Sequence, residues 1–141
     1  ESEPVSISRE TTFERDLHAV HDKAELGAIF TRLCEQVAGD LQRKGYVGKT
    51  IGIKLRYDTF KSVTRDKTLE AFTADARTIR QTAGLCLKRV DLSRRLRLLG
   101  VRVASLAKAS DNPEIEEKMA HPSTRQSSFA TQSIAETPQL F

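Results

Sequence analysis

The chain has 141 residues, of which 38% are hydrophobic and 30% are charged. This composition allows one domain of ordinary size and a tail, and no apolar run approaches the ~20 residues that a transmembrane helix requires. Residues 1–5 have neither the basic start nor the apolar stretch of a signal peptide. Because the sequence begins without Met, we expect a segment of a longer protein. The low cysteine content is typical of a reducing, cytoplasmic compartment.

Charge is distributed unevenly along the chain. Residues 1–42 carry a formal charge of −5, residues 43–108 carry +12 and residues 109–141 carry −3. A block of +12 within 66 residues favours a polyanionic partner. A merely solvated basic surface is the alternative.

A strand and a long helix are predicted first. Apolar and small polar residues alternate over residues 5–13, which indicates a half-buried strand. Asp22 is the expected N-cap of the helix and forms a capping box with Glu25, and Gly45 ends the helix. The apolar stripe of this helix is Leu26, Ile29, Phe30, Leu33, Val37 and Leu41.

The remaining elements are two strands, a helix and a final strand. Residues 50–57 alternate strictly, and residues 60–69 return as a basic strand after a turn at residues 58–59. A second amphipathic pattern predicts a helix over residues 73–89. Alternation over residues 98–106 predicts the last strand.

The order β-α-β-β-α-β predicts an α+β domain over residues 4–108. Each helix has one apolar stripe, so we expect a four-stranded sheet with both helices packed on one face. The other face is then open, and the residues expected on it are Ser6, Ser8, Gly52, Lys54, Arg56, Ser62, Thr64 and Arg102. Residues 109–141 are polar and without periodicity, which predicts a disordered tail.

The sequence does not assemble a catalytic or metal site. His18 and His21 lack a third ligand. Cys34 and Cys86 lie on or beside apolar stripes with no histidine to activate a thiolate. Residues 45–50 end in Gly-Lys-Thr but run into a strand, so no helix N-terminus would face a phosphate. We predict a binding module with no catalytic residue, metal ligand or cofactor in this segment.

The predicted open face suits the backbone of a DNA duplex. Basic and hydroxyl side chains are the usual phosphate contacts, whereas sheets that read single strands display aromatic platforms. Only Tyr46, Tyr57 and Phe60 lie close to this face, and Tyr57 should face the core, so an aromatic platform is not predicted. A ferredoxin-like RNA-binding or ribosome-associated module is an alternative with the same topology, and a small enzyme of unrecognised type is a third.

Three segments carry a family resemblance. Residues 6–13 (SISRETTF), 54–65 (KLRYDTFKSVTR) and 97–103 (RLLGVRV) resemble the little finger domain of Y-family translesion DNA polymerases and are similar to its bacterial DNA polymerase IV branch. The resemblance implies a domain that lies across the major groove of primer-template DNA. The phosphate contacts that it implies come from Ser6, Ser8, Arg9, Lys54, Arg56, Ser62, Thr64, Arg65 and Arg102.

The resemblance also has implications beyond this domain. The family's palm, fingers and thumb are not in this segment, so we expect no polymerisation by it alone. The parent protein is expected to be a monomeric nucleotidyltransferase that uses Mg²⁺. Bacterial members commonly end in a peptide that binds the sliding clamp, which implies a clamp contact by Gln139, Leu140 and Phe141.

Overall fold

The computed structural model describes residues 5–111. Within them the predicted β-α-β-β-α-β order is confirmed, and a short strand and a 3-10 turn follow it. The strands are β1 (Ser6–Leu17), β2 (Tyr46–Tyr57), β3 (Ser62–Thr73), β4 (Leu96–Ala104) and β5 (Ala107–Lys108). The helices are α1 (Lys23–Lys44) and α2 (Ala76–Leu87), and the 3-10 turn covers Ala109–Asp111.

The four long strands form an antiparallel sheet in the order β1-β4-β2-β3. Ser6 of β1 pairs with Ala104 of β4, and Arg102 of β4 pairs with Gly52 of β2. β4, the last of these four strands in the chain, therefore lies inside the sheet, and β1 and β3 are the edge strands. β5 pairs with the start of β2.

Both helices pack on one face of the sheet, as the single apolar stripes predict. α1 contacts β1 and β4, whereas α2 contacts β2 and β3. Phe30, Leu33 and Val37 of α1 are buried against strand residues such as Ile51 and Val101. Each side chain of this size contributes about 1.5–3 kcal/mol on burial.

The two ends of α1 differ in how well the sequence predicted them. Gly45 ends the helix in the left-handed conformation, with φ +78°, as expected. The predicted capping box is wrong. Asp22 uses its carboxylate to accept the backbone N–H of His18 at 2.8 Å and a guanidinium N–H of Arg15 at 3.2 Å. Glu25 accepts from the same Arg15 at 2.9 Å.

The second helix begins later than the sequence pattern predicts. Asp75 is its N-cap, and Oδ2 of Asp75 accepts from the backbone N–H of Thr78 at 2.9 Å. β3 ends at the buried Thr73, and only Ala74 separates this strand from Asp75. Side-chain capping, rather than the apolar pattern, therefore sets this boundary.

The ordered fold extends past the predicted boundary at residue 108. Ala109 is buried, and its backbone N–H donates to the carbonyl of Gly45 at 2.8 Å. The described structure thus continues three residues beyond residue 108, as the 3-10 turn Ala109–Asp111. The rest of that expected tail, with Gln139, Leu140 and Phe141, lies outside the described residues. Neither helix within residues 5–111 is long and apolar enough to cross a membrane.

Candidate nucleic-acid interface

The two faces of the sheet differ because side chains alternate along each strand. Ile7, Val103 and Ile51 are register partners, and all three are buried on the helix side. Ser8 and Arg102 form the adjacent pair and project from the opposite side. We call this side the open face. Its residues are Ser6, Ser8, Glu10 and Thr12 of β1, Leu98, Gly100, Arg102 and Ala104 of β4, Thr50, Gly52, Lys54 and Arg56 of β2, and Ser62, Thr64, Asp66 and Thr68 of β3.

Most of the predicted contact residues are brought together on the open face. They are Ser6, Ser8, Lys54, Arg56, Ser62, Thr64 and Arg102. Arg56 Nε donates to Ser62 Oγ at 3.1 Å across the β2–β3 pair. This hydrogen bond holds one guanidinium at the end of the face that adjoins the β2–β3 turn.

Two predicted contact residues lie on the helix side instead. Arg9 is the register partner of Val101, and Arg65 is the register partner of Ile53. Each follows a residue of the open face by one position, so the alternation of the strand turns its side chain the other way. The phosphate contacts that the family resemblance implies for Arg9 and Arg65 therefore come from the other side of the sheet, and they stay predictions.

Arg9 has a different partner on the helix side. Its Nε and Nη2 donate to the two carboxylate oxygens of Asp40 at 2.7 and 3.0 Å, and Arg43 also binds this carboxylate. Asp40 is only 5% exposed. Hydrogen bonds from Arg9 and Arg43 outweigh burial and lower the pKa of Asp40 to about 2. The cluster ties the edge strand β1 to α1.

The open face also carries two carboxylates that the sequence argument overlooked. Glu10 Oε1 lies 3.8 Å from Lys54 Nζ, and Asp66 Oδ2 lies 3.5 Å from Arg102 Nη2. Alternation was a sufficient signal, because Glu10 is two residues after Ser8. The face is therefore a mixed one, in which two of the three predicted cations have an acidic neighbour.

Each of these ion pairs reaches across a glycine. Gly52 lies between Arg102 and Asp66 in register, and Gly100 lies between Glu10 and Lys54. A Cβ on Gly52 would lie 3.0 Å from Asp66 Cβ, and one on Gly100 would lie 3.0 Å from Glu10 Cβ. A side chain at either glycine would crowd the carboxylate-bearing residue beside it. Because Gly52 and Gly100 have no side chains, the charged side chains on either side of each glycine can approach each other.

Aromatic rings are absent from the open-face rows defined above. Tyr57 packs against the core as predicted, and its hydroxyl donates to the carbonyl of Asp91 at 2.7 Å. Phe60, in the β2–β3 turn, is exposed. The face itself therefore offers charge and hydroxyl groups but no stacking platform.

The described histidines and cysteines have structural contacts or are buried. His18 Nε2 lies 3.1 Å from the carbonyl oxygen of Ser93, and its ring contacts that of His21. Within residues 5–111 no three side chains are placed to hold a metal ion. Cys34 and Cys86 are buried and unpaired. Burial raises the pKa of the Cys34 thiol to about 12, which opposes a nucleophilic role.

Comparison with known proteins assigns the chain to a family. The model of the impB/mucB/samB family C-terminal domain matches residues 4–116. The chain belongs to this family. The resemblance of the three sequence segments to the little finger domain of Y-family polymerases is thereby confirmed.

The matched relatives are much longer proteins. DNA polymerase IV of Streptomyces coelicolor is 36% identical over 107 residues, which are 76% of this chain and 22% of that protein. DNA polymerase IV of Methanoculleus marisnigri is 40% identical over 102 residues, which are 72% of this chain and 27% of that protein. The chain thus spans about a quarter of the length of these relatives.

Solved structures share the fold. A chain from a complex of the beta-clamp processivity factor and the little finger domain of PolIV matches with a TM-score of 0.57 and 23% identity, covering 70% of this chain and 86% of that one. A Y-family DNA polymerase chimera matches with a TM-score of 0.60 and 13% identity, covering 76% of this chain and 30% of that one.

Proposed function

We propose that this domain binds primer-template DNA for an error-prone translesion DNA polymerase, and that its open face contacts the phosphates. The observation that carries the proposal is the grouping of Lys54, Arg56 and Arg102 with four predicted hydroxyl side chains on one uncovered surface. Basic and hydroxyl groups position a protein on the DNA backbone without reading bases. The similarity to DNA polymerase IV proteins supports DNA, rather than another polyanion, as the ligand of this face.

The two open-face carboxylates moderate this interaction. Glu10 and Asp66 hold Lys54 and Arg102 near the sheet in the free protein. An approaching phosphate must compete with these carboxylates, and both ion pairs are solvent-exposed and therefore weak. We infer binding that is reversible and sensitive to salt, which suits a domain that must follow a moving primer terminus.

The rest of the proposal concerns the whole protein. Nucleotidyl transfer and Mg²⁺ binding are assigned to the parent enzyme's other segments, because the described side chains do not converge on a metal site. We place the enzyme in the cytoplasm as a monomer. The tail that ends in Gln139, Leu140 and Phe141 is proposed to contact the sliding clamp, in keeping with the similarity to a PolIV little finger from a clamp complex.

Duplex binding measured against salt tests the DNA assignment. If about four to six phosphates are neutralised, log K falls with log salt with a slope of about −4 to −5. Substituting Lys54, Arg56 and Arg102 together with Ala should weaken binding to all sequences equally and reduce the slope by about 3.

The matched control substitutes three helix-borne or helix-flanking cations, Lys23, Arg32 and Lys88, with Ala. This variant loses the same formal charge but leaves the open face intact, so it should retain most of the affinity. Equal losses in both variants would show that only net charge matters. Tighter binding to single-stranded RNA than to primer-template DNA would favour the RNA-binding alternative.

A further inference from the structure

The turn between β2 and β3 combines an unusual backbone conformation with an exposed ring. Phe60 has φ +70° and is 66% exposed. Its N–H donates to the carbonyl of Tyr57 at 2.8 Å, and the N–H of Tyr57 donates to the carbonyl of Lys61 at 2.9 Å. Such a three-residue hairpin loop normally has Gly or Asn at the left-handed position. A phenylalanine there is unfavourable for both backbone and solvation.

The ring of Phe60 is partly supported from the neighbouring strand. The guanidinium carbon of Arg97 lies 4.6 Å from the ring centroid, within the range of a cation–π contact. Arg97 Nη1 in turn lies 3.5 Å from Asp16 Oδ1. Because two thirds of Phe60 stays exposed, this contact leaves most of the ring surface accessible.

The turn lies where the open face ends, and cations surround it. Arg56 and Ser62 form the last open-face row before the turn, and Lys61 follows Phe60 directly. Arg94 Nη2 lies 3.6 Å from Asp58 Oδ1 on the other side of the turn. The exposed ring of Phe60 therefore lies in the turn that adjoins the last open-face row, with Arg97 against it and Lys61 next in sequence.

We propose that Phe60 stacks on an unpaired base of the DNA strand that continues beyond the duplex. The inference rests on the proposed function, since the open face must first hold the duplex. Aromatic rings beside cations bind single strands in a sequence-tolerant way, because every base has a flat face that stacks. Glycine would suit the left-handed conformation of the turn better than Phe60, so the exposed ring is a candidate for an interaction outside the fold.

The experiment uses the full chain and DNAs that share one duplex and differ only in the template extension. The extension is absent, a short oligothymidine, or an abasic strand with the same number of phosphates. Base stacking predicts that the protein prefers the thymidine extension to the abasic one by about fivefold or more. Phe60→Gly relieves the backbone strain, so the variant should fold, and it should bind the two extended DNAs equally while keeping its blunt-duplex affinity.

Two further variants complete the test. Leu85→Ala removes another exposed apolar side chain, on α2, and should leave the base preference unchanged. Phe60→Trp introduces the only tryptophan of the chain, and its fluorescence should be quenched by the thymidine extension but not by the abasic one.

Failure of the wild type to distinguish these two extensions, or an undiminished preference in Phe60→Gly, would overturn the inference. In both cases blunt-duplex binding would leave the proposed function standing, whereas absent duplex binding would overturn both.

Discussion

Arg9 and Asp40 are joined by two hydrogen bonds, from Nε at 2.7 Å and from Nη2 at 3.0 Å, although 31 residues separate them in the chain. The pair connects the edge strand β1 to the penultimate turn of α1, which packs on this strand. Because Arg9 lies between Ser8 and Glu10, this connection also fixes the strand that presents one side of the open face.

Asp40→Asn should reduce stability at neutral pH and change its dependence on acid. The pKa of Asp40 is about 2 in the folded protein, below the ordinary value of about 3.9. The ion pairs therefore stabilise the fold fully above about pH 4, and this stabilisation is lost as the pH falls to about 2. The lost free energy of unfolding is on the order of 2 kcal/mol.

Urea unfolding between pH 2 and pH 7 measures this effect. The stability difference between wild type and Asp40→Asn should shrink as the pH approaches 2. Glu35→Gln, at an exposed position of the same helix, is the control and should change little at any pH. A difference that stays constant down to pH 2 would contradict the electrostatic role of Asp40.

Removing the open-face carboxylates should strengthen DNA binding. Glu10→Gln and Asp66→Asn release Lys54 and Arg102 and remove a negative charge that repels phosphate. Since exposed ion pairs are worth a fraction of a kcal/mol, we expect affinity to rise about two- to fivefold for each variant. Fluorescence anisotropy of labelled duplex DNA at fixed salt measures this affinity, with Glu35→Gln as the charge-matched control. Unchanged or weaker binding would mean that these carboxylates are oriented away from the DNA.

The C-terminal residues should contribute to binding of a bacterial sliding clamp. Burial of Leu140 and Phe141 in an apolar pocket offers roughly 3–6 kcal/mol gross, less the cost of ordering the peptide, which suggests micromolar affinity. Replacing both with Ser should weaken clamp binding about tenfold or more. Replacing Thr131 and Gln132 with Ala keeps the tail length and should have no effect. Equal affinity of all three proteins in a calorimetric titration would remove the clamp assignment.

The chain alone should not extend a primer. Two-metal nucleotidyl transfer requires carboxylates that converge on the ions, and the described residues contain no such group. The measurement is primer extension with Mg²⁺ and all four nucleotides, with the same preparation of Lys54→Ala/Arg56→Ala/Arg102→Ala as a contamination control. Template-dependent products made only by the wild type would show that the chain contains a catalytic site.

The alternation of the strands made the open face predictable from sequence. Lys54 and Arg102 lie where the pattern places them, because a side-chain period of two follows from strand geometry alone. The same rule would have excluded Arg9 and included Glu10. Arg9 instead entered through the family resemblance, which transfers positions without testing which face each side chain occupies.

Other features depend on contacts that a local pattern does not contain. The partnership of Arg9 with Asp40 requires the packing of α1 on β1. Asp22 has the residue type of an N-cap, but Arg15 and His18 engage its carboxylate from the preceding strand and turn. The left-handed conformation of Phe60 follows from the hairpin register, and no Gly or Asn in the turn signals it.

The interior position of β4 determines when the domain can assemble during its own synthesis. β1 is synthesised before the other strands of this sheet, but its partner strand ends at Ala104, almost a hundred residues after Ser6. Until then, the β2–β3 hairpin exposes the edge that β4 will occupy. Such long-range pairing slows folding relative to helical domains of similar size. Translation must therefore nearly finish the domain before the four-stranded open face exists.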